Sequence, residues 1–336
     1  MHPQTPPDPR LIESITHLSQ QMERALFEVK RLIVGQDAFL ERVLIALLAQ
    51  GHLLVEGMPG LAKTLTINTL SRVLQGQFKR IQFTPDLLPA DLIGSRVFDP
   101  RTAEFQTLLG PVFANLLLAD EINRAPAKVQ SALLEAMQER QVTIAGISHR
   151  LPHPFLVMAT QNPIETEGTY PLPEAQVDRF MMKLVVDYPT QDEEFVVVER
   201  VIGPAIDVQP VISIEDLARM QTHCRSIYVD PALIRYAVKL TAASRRPAEF
   251  GKADLAPLLL HGASPRASIA LIEGARALAA LRGRSYVLAE DIGAIAADVL
   301  RHRITPSDEA IATEVSTESI VTELIASVPV PAMPLA

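Results

Sequence analysis

The segment from Leu53 to Thr64 constrains the fold of this chain more than any other part of its sequence. A short apolar run, Leu53–Glu56, leads into the sequence GMPGLAKT (residues 57–64), and a helical pattern begins at Lys63. This order is that of the phosphate-binding pattern G-x-x-x-x-G-K-[ST], in which a strand leads through a glycine-rich loop into a helix. Glycines allow a tight turn whose backbone N–H groups, with the positive end of the helix, surround an anion. The segment therefore predicts a triphosphate site.

Individual positions of this loop have distinct expected roles. The Lys63 ammonium is expected to reach the β- and γ-phosphates, and the Thr64 hydroxyl is expected to bind Mg²⁺. Ala62 stands where the strict pattern has glycine, but at the start of a helix ordinary dihedral angles suffice and a methyl group costs little. A chance Gly-Pro turn before a helix is the alternative interpretation. The residues predicted to contact the nucleotide here are Gly57, Met58, Pro59, Gly60, Leu61, Ala62, Lys63, Thr64 and Leu65.

The sequence NLLLADEINRAP (residues 115–126) places two carboxylates directly after a buried strand. Four apolar residues, Leu116–Ala119, run into Asp120 and Glu121. Asp120 is expected to hold the water shell of Mg²⁺, and Glu121 is expected to orient and deprotonate the attacking water. A strand followed by an acidic turn is the alternative. The companion loop favours a site that hydrolyses ATP, with ATP and Mg²⁺ as its ligands.

Short apolar runs with the character of strands alternate with helical patterns through the first half of the chain. This alternation predicts an α/β fold with a parallel sheet and helices on both faces. Beyond the junction at Asp187–Glu194 the patterns are helical. We predict a flexible tail at 1–10, a nucleotide-binding domain at 11–188, a helical lid at 189–330 and a tail at 331–336. The expected strands are His52–Glu56, Lys79–Phe83, Val112–Ala119, Pro154–Thr160 and Lys183–Val186.

Two further segments have the pattern of β-hairpins. Gly94–Phe113 and Arg140–Pro154 each contain two apolar-patterned runs on either side of a polar turn. Such hairpins are candidate contacts for a substrate or partner protein, and simple extension of the sheet is the alternative. The sequence alone does not distinguish the two.

Charge and composition argue against several classes of partner. The chain carries 31 Lys and Arg against 39 Asp and Glu, a formal charge of −8, and it has no tryptophan. An acidic chain that is poor in aromatic residues is poorly suited to binding nucleic acid. The apolar stretch Val43–Val55 falls short of the ~18 residues of a membrane span, and the single cysteine, Cys224, fits a reducing compartment. We expect a cytoplasmic protein without direct membrane insertion.

Several motifs together resemble the MoxR family of AAA+ ATPases, in the helix-2-insert group and related to the ATPase subunits of magnesium chelatase. The resemblance runs from about Ile33 to Arg303 and follows the order of that family's motifs. It implies an AAA+ P-loop αβα sandwich followed by an all-helical lid, with an inserted hairpin at 94–113. The motifs are GMPGLAKT, FTPDLLPADLIG, LLLADEINRAP, ALLEAMQERQVTI, MATQNPIETEGTYPLPEAQVDRF and GASPRA.

The resemblance also implies roles for residues outside the first two motifs. Asn162 matches the sensor 1 position, whose amide helps to place the lytic water. Arg179 matches the arginine finger, which reaches the ATP of the neighbouring subunit, and Arg124 is the second choice for that role. Arg266 matches sensor 2, which reports the γ-phosphate from the lid. The residues that match the lining of the adenine pocket are Gly35 and Gln36.

The implied function is that of a Mg²⁺-dependent ATPase that remodels, assembles or activates a partner protein in the manner of a chaperone. Because the finger acts on a neighbouring subunit, a working site requires a homo-oligomeric ring, expected to be a hexamer. The partner is expected to carry a von Willebrand A domain. Three alternatives remain: the motor subunit of a magnesium-chelatase-like complex, a DNA-associated AAA+ motor, and a module that binds ATP but hydrolyses it poorly.

Overall fold

Strands alternate with helices in the first half of the chain, and the second half is mostly helical. The computed structural model describes residues 9–57, 61, 63–162 and 169–331. The five strands predicted from the sequence are confirmed, but the one predicted from Val112 begins only at Leu116. The strands are β1 (Leu53–Gly57), β2 (Phe78–Gln82), β3 (Gly94–Asp99), β4 (Glu104–Leu109), β5 (Leu116–Asp120), β6 (Gln141–Ile144), β7 (Ile147–Arg150), β8 (Leu156–Gln161), β9 (Met182–Val186), β10 (Leu259–His261) and β11 (Thr305–Pro306).

The helix that follows the phosphate loop begins at Lys63, as the sequence pattern predicts. Several lid helices begin with a side chain that accepts a hydrogen bond from the first turn, as Ser213 and Asp230 do. The helices are α1 (Pro9–Lys30), α2 (Asp37–Leu48), α3 (Lys63–Val73), α4 (Pro89–Ile93), α5 (Ala127–Glu139), α6 (Glu174–Val177), α7 (Gln191–Ile202), α8 (Ile214–Arg225), α9 (Pro231–Arg245), α10 (Pro265–Leu281), α11 (Ala289–Leu300), α12 (Asp308–Ala312) and α13 (Thr317–Ser327).

Five strands form one parallel sheet, in the order β2-β5-β8-β1-β9. Because the strands share one direction, the carboxyl ends of β1, β5 and β8 meet at a single edge. In open α/β sheets ligands bind beyond this carboxyl edge. The order therefore brings the end of the phosphate-loop strand and the carboxylates that follow β5 to the same side of the molecule.

Alternate residues of each central strand belong to two different hydrophobic cores. Leu116 and Leu118 of β5 pack with helices α1, α2 and α3, whereas Leu117 and Ala119 pack on the opposite face, where α5 lies. This division follows from the period of two along a strand. Both faces of the sheet are covered by helices, which confirms the predicted α/β sandwich.

The helical part packs directly onto one face of this sandwich. The core formed by α1, α2 and α3 continues without interruption into the buried faces of α8, α9, α10 and α11. One small departure from an all-helical lid is the antiparallel pair of β10 and β11. The domain boundary at residues 188 and 189 stays a prediction, since α1 and α2 contact elements on both sides of it.

Both predicted hairpins are confirmed. Strands β3 and β4 pair antiparallel, as do β6 and β7. Gly94 begins the first hairpin with a φ of +103°, and a Cβ there would lie 2.2 Å from the carbonyl oxygen of Leu108, so only glycine fits. Among the described residues, no helix is long and apolar enough to cross a membrane.

Candidate active site

A cavity of 400 Å³ opens at the carboxyl edge of the sheet. It brings together the end of β1, the start of α3 and the ends of β2, β5 and β8, and so unites residues that are far apart in the chain. Both sequence motifs contribute to it. The residues that line it are Gly57, Leu61, Lys63, Thr64, Leu65, Arg80, Gln82, Asp120, Glu121, Thr160, Gln161 and Asn162. The predicted loop residues Met58, Pro59, Gly60 and Ala62 lie outside the described residues.

Gly57 ends β1 at a position where a side chain has no room. A Cβ at this residue would lie 2.6 Å from the carbonyl oxygen of Val186 on β9. Glycine thus allows β1 and β9 to pair right up to the point where the loop begins.

Lys63 is the first residue of α3, and its ammonium is half-buried in the cavity. Its Nζ donates a hydrogen bond of 2.7 Å to the carbonyl oxygen of Gly57. Burial lowers the pKa of Lys63 below its ordinary value, and the negative charges of Asp120 and Glu121 oppose this shift. A bound phosphate would stabilise the charged form, so that anion binding and protonation of Lys63 reinforce each other.

Both oxygens of the Asp120 carboxylate are held by neighbouring strands. Oδ1 accepts a hydrogen bond of 2.5 Å from the Thr160 hydroxyl on β8. Oδ2 accepts from Arg80 on β2, at 3.1 Å from Nε and 2.7 Å from Nη2. The Asp120 carboxylate and the Thr64 hydroxyl line the same cavity, and such hard oxygen donors are those that Mg²⁺ prefers. The residues present therefore fit a magnesium ion carried in with a triphosphate.

Glu121 follows β5 in a left-handed backbone conformation, with a φ of 56°. A non-glycine residue in this region carries a modest energetic cost, which the surrounding hydrogen bonds offset. Its N–H donates to the Thr160 hydroxyl at 2.9 Å. Its Oε2 accepts from Gln82 Nε2 at 2.7 Å and from Arg124 Nη1 at 3.0 Å. The carboxylate that the sequence predicts as the general base is thus held at the cavity by Gln82 and Arg124, and its backbone is held by Thr160.

Sequence reasoning missed Arg80, Gln82 and Thr160. The structural signal for the first two is the register of β2, which places Gln82 beside Asp120 on the neighbouring strand. Arg80 lies two residues earlier and hence on the same face. Thr160 comes at the end of a strand that the sequence does identify, but its use as a bridge depends on β8 being the neighbour of β5.

Asn162 lines the cavity directly after β8, and its sensor 1 role stays a prediction. Gln36 contacts the phosphate loop, because its Nε2 donates to the carbonyl oxygen of Leu61 at 3.2 Å. Its Oε1 is buried without a hydrogen-bond partner in the described part of the chain. Gly35 has a φ of +64°, and a Cβ there would lie 2.3 Å from Glu193 Oε1 at the start of α7. The segment therefore lies between the phosphate loop and the first helix beyond the sheet.

Neither Arg179 nor Arg266 is among the residues that line the 400 Å³ cavity. Both are close to Asp178: Arg179 follows it in sequence, and Arg266 Nη1 is 3.4 Å from its Oδ2. Arg179 Nε is buried and has no hydrogen-bond partner in the segments that the structure describes. Arg124, the second choice for the finger, contacts Glu121 of its own chain.

Family models match two parts of the chain. Residues 52–182 match the model described as the ATPase family associated with various cellular activities, or AAA. Residues 252–324 match an AAA lid domain. The first match contains Lys63, Asp120, Glu121 and Asn162, and the second contains Arg266.

Relatives of known sequence and structure match nearly the whole chain. Chaperone MoxR1 of Mycobacterium tuberculosis is 52% identical over 310 residues, which cover 92% of this chain and 82% of that protein. Protein MoxR of Paracoccus denitrificans is 35% identical over 322 residues, which cover 89% of this chain and 93% of that protein. A crystal structure of a protein assigned as an ATPase, from Cytophaga hutchinsonii, has a TM-score of 0.91 at 45% identity and covers 95% of this chain and 98% of that one.

Proposed function

This chain belongs to the MoxR family of AAA+ ATPases, and we propose that it couples hydrolysis of Mg-ATP, in a ring of identical subunits, to the remodelling or activation of a partner protein. As a member of that family it binds nucleotide and hydrolyses ATP. The observation that carries the proposal is that Lys63, Asp120 and Glu121 line one cavity although they come from separate motifs.

The residues that line the cavity have separate roles in ATP hydrolysis. Lys63 and the backbone at the start of α3 bind the phosphates, while Thr64 and Asp120 would hold Mg²⁺. That ion, when bound, neutralises charge on the phosphate oxygens. Glu121 accepts a proton from the attacking water, since its carboxylate faces the cavity and is held by Gln82 and Arg124. Asn162 contributes an amide that positions this water.

The arrangement of Arg179 and Arg266 supports catalysis shared between subunits. Neither of them lines the cavity of its own chain, yet phosphoryl transfer gains about 10³–10⁵ in rate from an arginine that reaches the transferred group. We therefore assign both arginines to the nucleotide of the adjacent subunit. The sequence predicts a sensor 2 role for Arg266 without specifying the subunit whose nucleotide it contacts, and this assignment adds that detail. If both arginines act on the adjacent subunit, activity requires a ring, most simply a hexamer.

The substrate of the motor is a protein in this proposal. Support comes from the chaperone name of the relative from M. tuberculosis and from the exposed apolar side chains Phe98, Phe105 and Leu108 on the β3–β4 hairpin. A partner with a von Willebrand A domain and a cytoplasmic setting complete the proposal. The formal charge of −8 counts against nucleic acid as a partner.

Two substitutions in the cavity separate ATP binding from ATP hydrolysis. Glu121→Gln keeps an oxygen that can accept the hydrogen bond from Gln82, but it cannot accept a proton, so ATP binding persists while turnover falls by about 10²–10⁴. Lys63→Ala is the matched control, because it removes the phosphate-binding cation and lowers affinity for ATP itself. Phosphate release and titration with a fluorescent ATP analogue measure the two effects. Wild-type turnover in Glu121→Gln would exclude Glu121 as the base.

The trapped variant also identifies the partner. Glu121→Gln with ATP is expected to retain a partner protein that Lys63→Ala does not retain under the same conditions, because only the former holds the ATP-bound state. Recovery of a protein with a von Willebrand A domain supports the proposal. Recovery of a chelatase core, or ATPase activity stimulated by DNA in low salt, would overturn it in favour of a different motor.

A further inference from the structure

We propose that Asp178 and Arg303 form a positioning pair through which the lid sets the place of Arg179 and Arg266 at the neighbouring nucleotide. The inference rests on the proposed function, because it requires that these two arginines act on the adjacent subunit. Neither Asp178 nor Arg303 has been given a role by the sequence motifs. Their contacts form a continuous connection from the end of α11 to the turn that carries Arg179.

The Asp178 carboxylate is shared by three donors from the helical part of the chain. Oδ1 accepts from Arg303 Nε at 2.8 Å, and Oδ2 accepts from the Ser264 hydroxyl at 2.8 Å and lies 3.4 Å from Arg266 Nη1. Ser264 also begins α10, since its hydroxyl accepts from the N–H of Arg266. The Ser264 side chain thus contacts both the start of α10 and Asp178, the residue next to Arg179.

Arg303 holds the backbone on both sides of Arg179. Its side chain is 2% exposed, and its guanidinium donates to the carbonyl oxygens of Asp178 at 3.1 Å, Phe180 at 2.6 Å and Met181 at 3.0 Å. A further bond of 2.5 Å goes to the carbonyl oxygen of Val299 in α11. Together with the bond to the carboxylate, these contacts use all five N–H groups that a guanidinium has.

The neighbouring residues reinforce the same connection. The His302 ring is 3.0 Å from the carbonyl oxygen of Phe180 through Nε2. The Met181 side chain occupies the space beside two glycines, Gly51 and Gly274, where a Cβ would lie 2.3 Å and 3.0 Å from it. The turn from Asp178 to Met181 is therefore fastened to the lid through Arg303 and His302 and to the sheet through Met181, whose N–H donates to the carbonyl oxygen of His52. The position of Arg179 thus depends on how the lid sits on the sheet.

Stability alone is a weak reason for such a pair. A buried Asp–Arg pair often contributes no more than well-packed apolar residues would, because both charges must be desolvated. Burial lowers the pKa of Arg303 to about 10, and the charge of Asp178 opposes this change, so the guanidinium stays charged at neutral pH. An arginine with five hydrogen bonds instead fixes the positions of the groups that it contacts. The geometry it defines here is that of Arg179 and Arg266.

The variant that tests the pair is Asp178→Asn, which keeps the shape of the side chain and removes its charge. We expect affinity for ATP to stay at the wild-type value, because the phosphate loop is untouched. Turnover is expected to fall at least about tenfold, part of what an arginine finger contributes. Arg303→Lys keeps the charge but loses the planar fork, and it is expected to act in the same direction. In both variants kcat falls while KM for ATP changes little.

Mixed rings show on which subunit the pair acts. Asp178→Asn has an intact loop and Lys63→Ala has intact arginines, so a mixture of the two forms some complete sites and regains turnover. A mixture of Arg179→Ala with Lys63→Ala tests the sharing of sites in the same way without involving the pair. Recovery in both mixtures supports the inference. If neither mixture recovers, the proposed sharing of sites is wrong and the inference falls with it.

Asp291→Asn is the matched control. Asp291 is a fully buried carboxylate held by Arg282 and Arg284, and these partners lie in the lid. Its replacement is expected to lower thermal stability but to leave turnover close to wild type. Wild-type turnover in Asp178→Asn, or recovery only in the mixture with Arg179→Ala, would overturn the positioning role. An equal loss of turnover in Asp291→Asn would do the same, because it would reduce the effect to lid stability.

Discussion

At the scale of single residues, Thr160 connects the two carboxylates of the active site. Its hydroxyl donates to Asp120 Oδ1 and accepts from the N–H of Glu121, and the residue is 2% exposed. The Thr160 hydroxyl thus orients Asp120 by contacting its carboxylate and orients Glu121 by contacting its backbone N–H. The active site thus depends on a residue that carries no charge and performs no chemical step.

Thr160→Val tests this role, because valine has the shape of threonine without the hydroxyl. The partly buried N–H of Glu121 loses its acceptor, and we expect the free energy of unfolding to fall by ~1–3 kcal/mol. Turnover is expected to fall about 10- to 100-fold, while ATP still binds. Thr66→Val is the control, since the Thr66 hydroxyl is buried in α3 with no hydrogen-bond partner in the described residues. A full loss of activity in Thr66→Val would mean that any change in this core disables the enzyme.

The candidate site residues that can be predicted from the sequence are those that belong to a recognisable local motif. Lys63 follows a glycine-rich loop, and Asp120 and Glu121 follow a run of four apolar residues, so a local pattern suffices. Arg80 and Gln82 have no such pattern around them. Their contacts with the carboxylates exist only because β2 lies beside β5 in a particular register, and that pairing depends on the whole sheet.

At the scale of elements, two helix glycines with opposite surroundings show how closely the lid is packed. Gly274 in α10 is buried, and a Cβ there would lie 2.5 Å from Ile295 Cδ1 of α11. Gly293 in α11 is exposed, and a Cβ there would meet nothing within 4 Å. The small residue at 274 lets α10 approach α11, whereas the one at 293 has no such use.

Alanine substitutions at these two glycines are therefore expected to change stability in opposite directions. Gly293→Ala should raise the free energy of unfolding by ~0.5–1 kcal/mol, because alanine favours a helix interior. Gly274→Ala gains the same helix preference but forces Ile295 to move, and we expect a net loss of ~1–2 kcal/mol. Urea denaturation of the two variants measures both. A stabilised Gly274→Ala would mean that α10 and α11 separate more readily than their packing indicates.

Local periodicity predicted the strands and the helix after the phosphate loop, but not how they are arranged. The pattern predicts that residues 112–115 belong to a strand, yet they form an irregular segment before β5. The N–H groups of Asn115 and of Leu116, the first residue of β5, both donate to the carbonyl oxygen of Gln77. The order of the sheet and the pair of β10 and β11 depend on contacts between distant segments. Those contacts leave no periodic signal in a single sequence.

At the scale of the whole molecule, two buried histidines connect stability to pH. Burial, followed by the charge of Arg140, lowers the pKa of His52 to about 3, and its Nδ1 accepts a hydrogen bond from the N–H of Val157. Burial likewise holds the pKa of His302 well below 6.5. Each ring is therefore neutral in the folded protein. Unfolding exposes them to water, where they bind protons below a pH of about 6.5.

The sign of the effect follows from which state binds protons. Above a pH of about 6.5 the stabilisation is fully present, and it is lost as pH falls towards the lowered pKa values of the folded state. One such histidine contributes a slope of up to about 1.4 kcal/mol per pH unit. His52→Asn should reduce the difference in unfolding free energy between pH 7 and pH 5 relative to wild type. An unchanged difference would mean that His52 is charged in the folded protein.

The central claim is that Lys63 and Asp120 act on the two sides of one magnesium-bound triphosphate. A structure of Glu121→Gln determined with ATP and Mg²⁺ tests this most directly. We expect Lys63 Nζ to contact the β- and γ-phosphates and Asp120 to face the ion in the same cavity. A triphosphate bound away from Lys63, or an ion that leaves Asp120 in contact only with Arg80 and Thr160, would contradict the account.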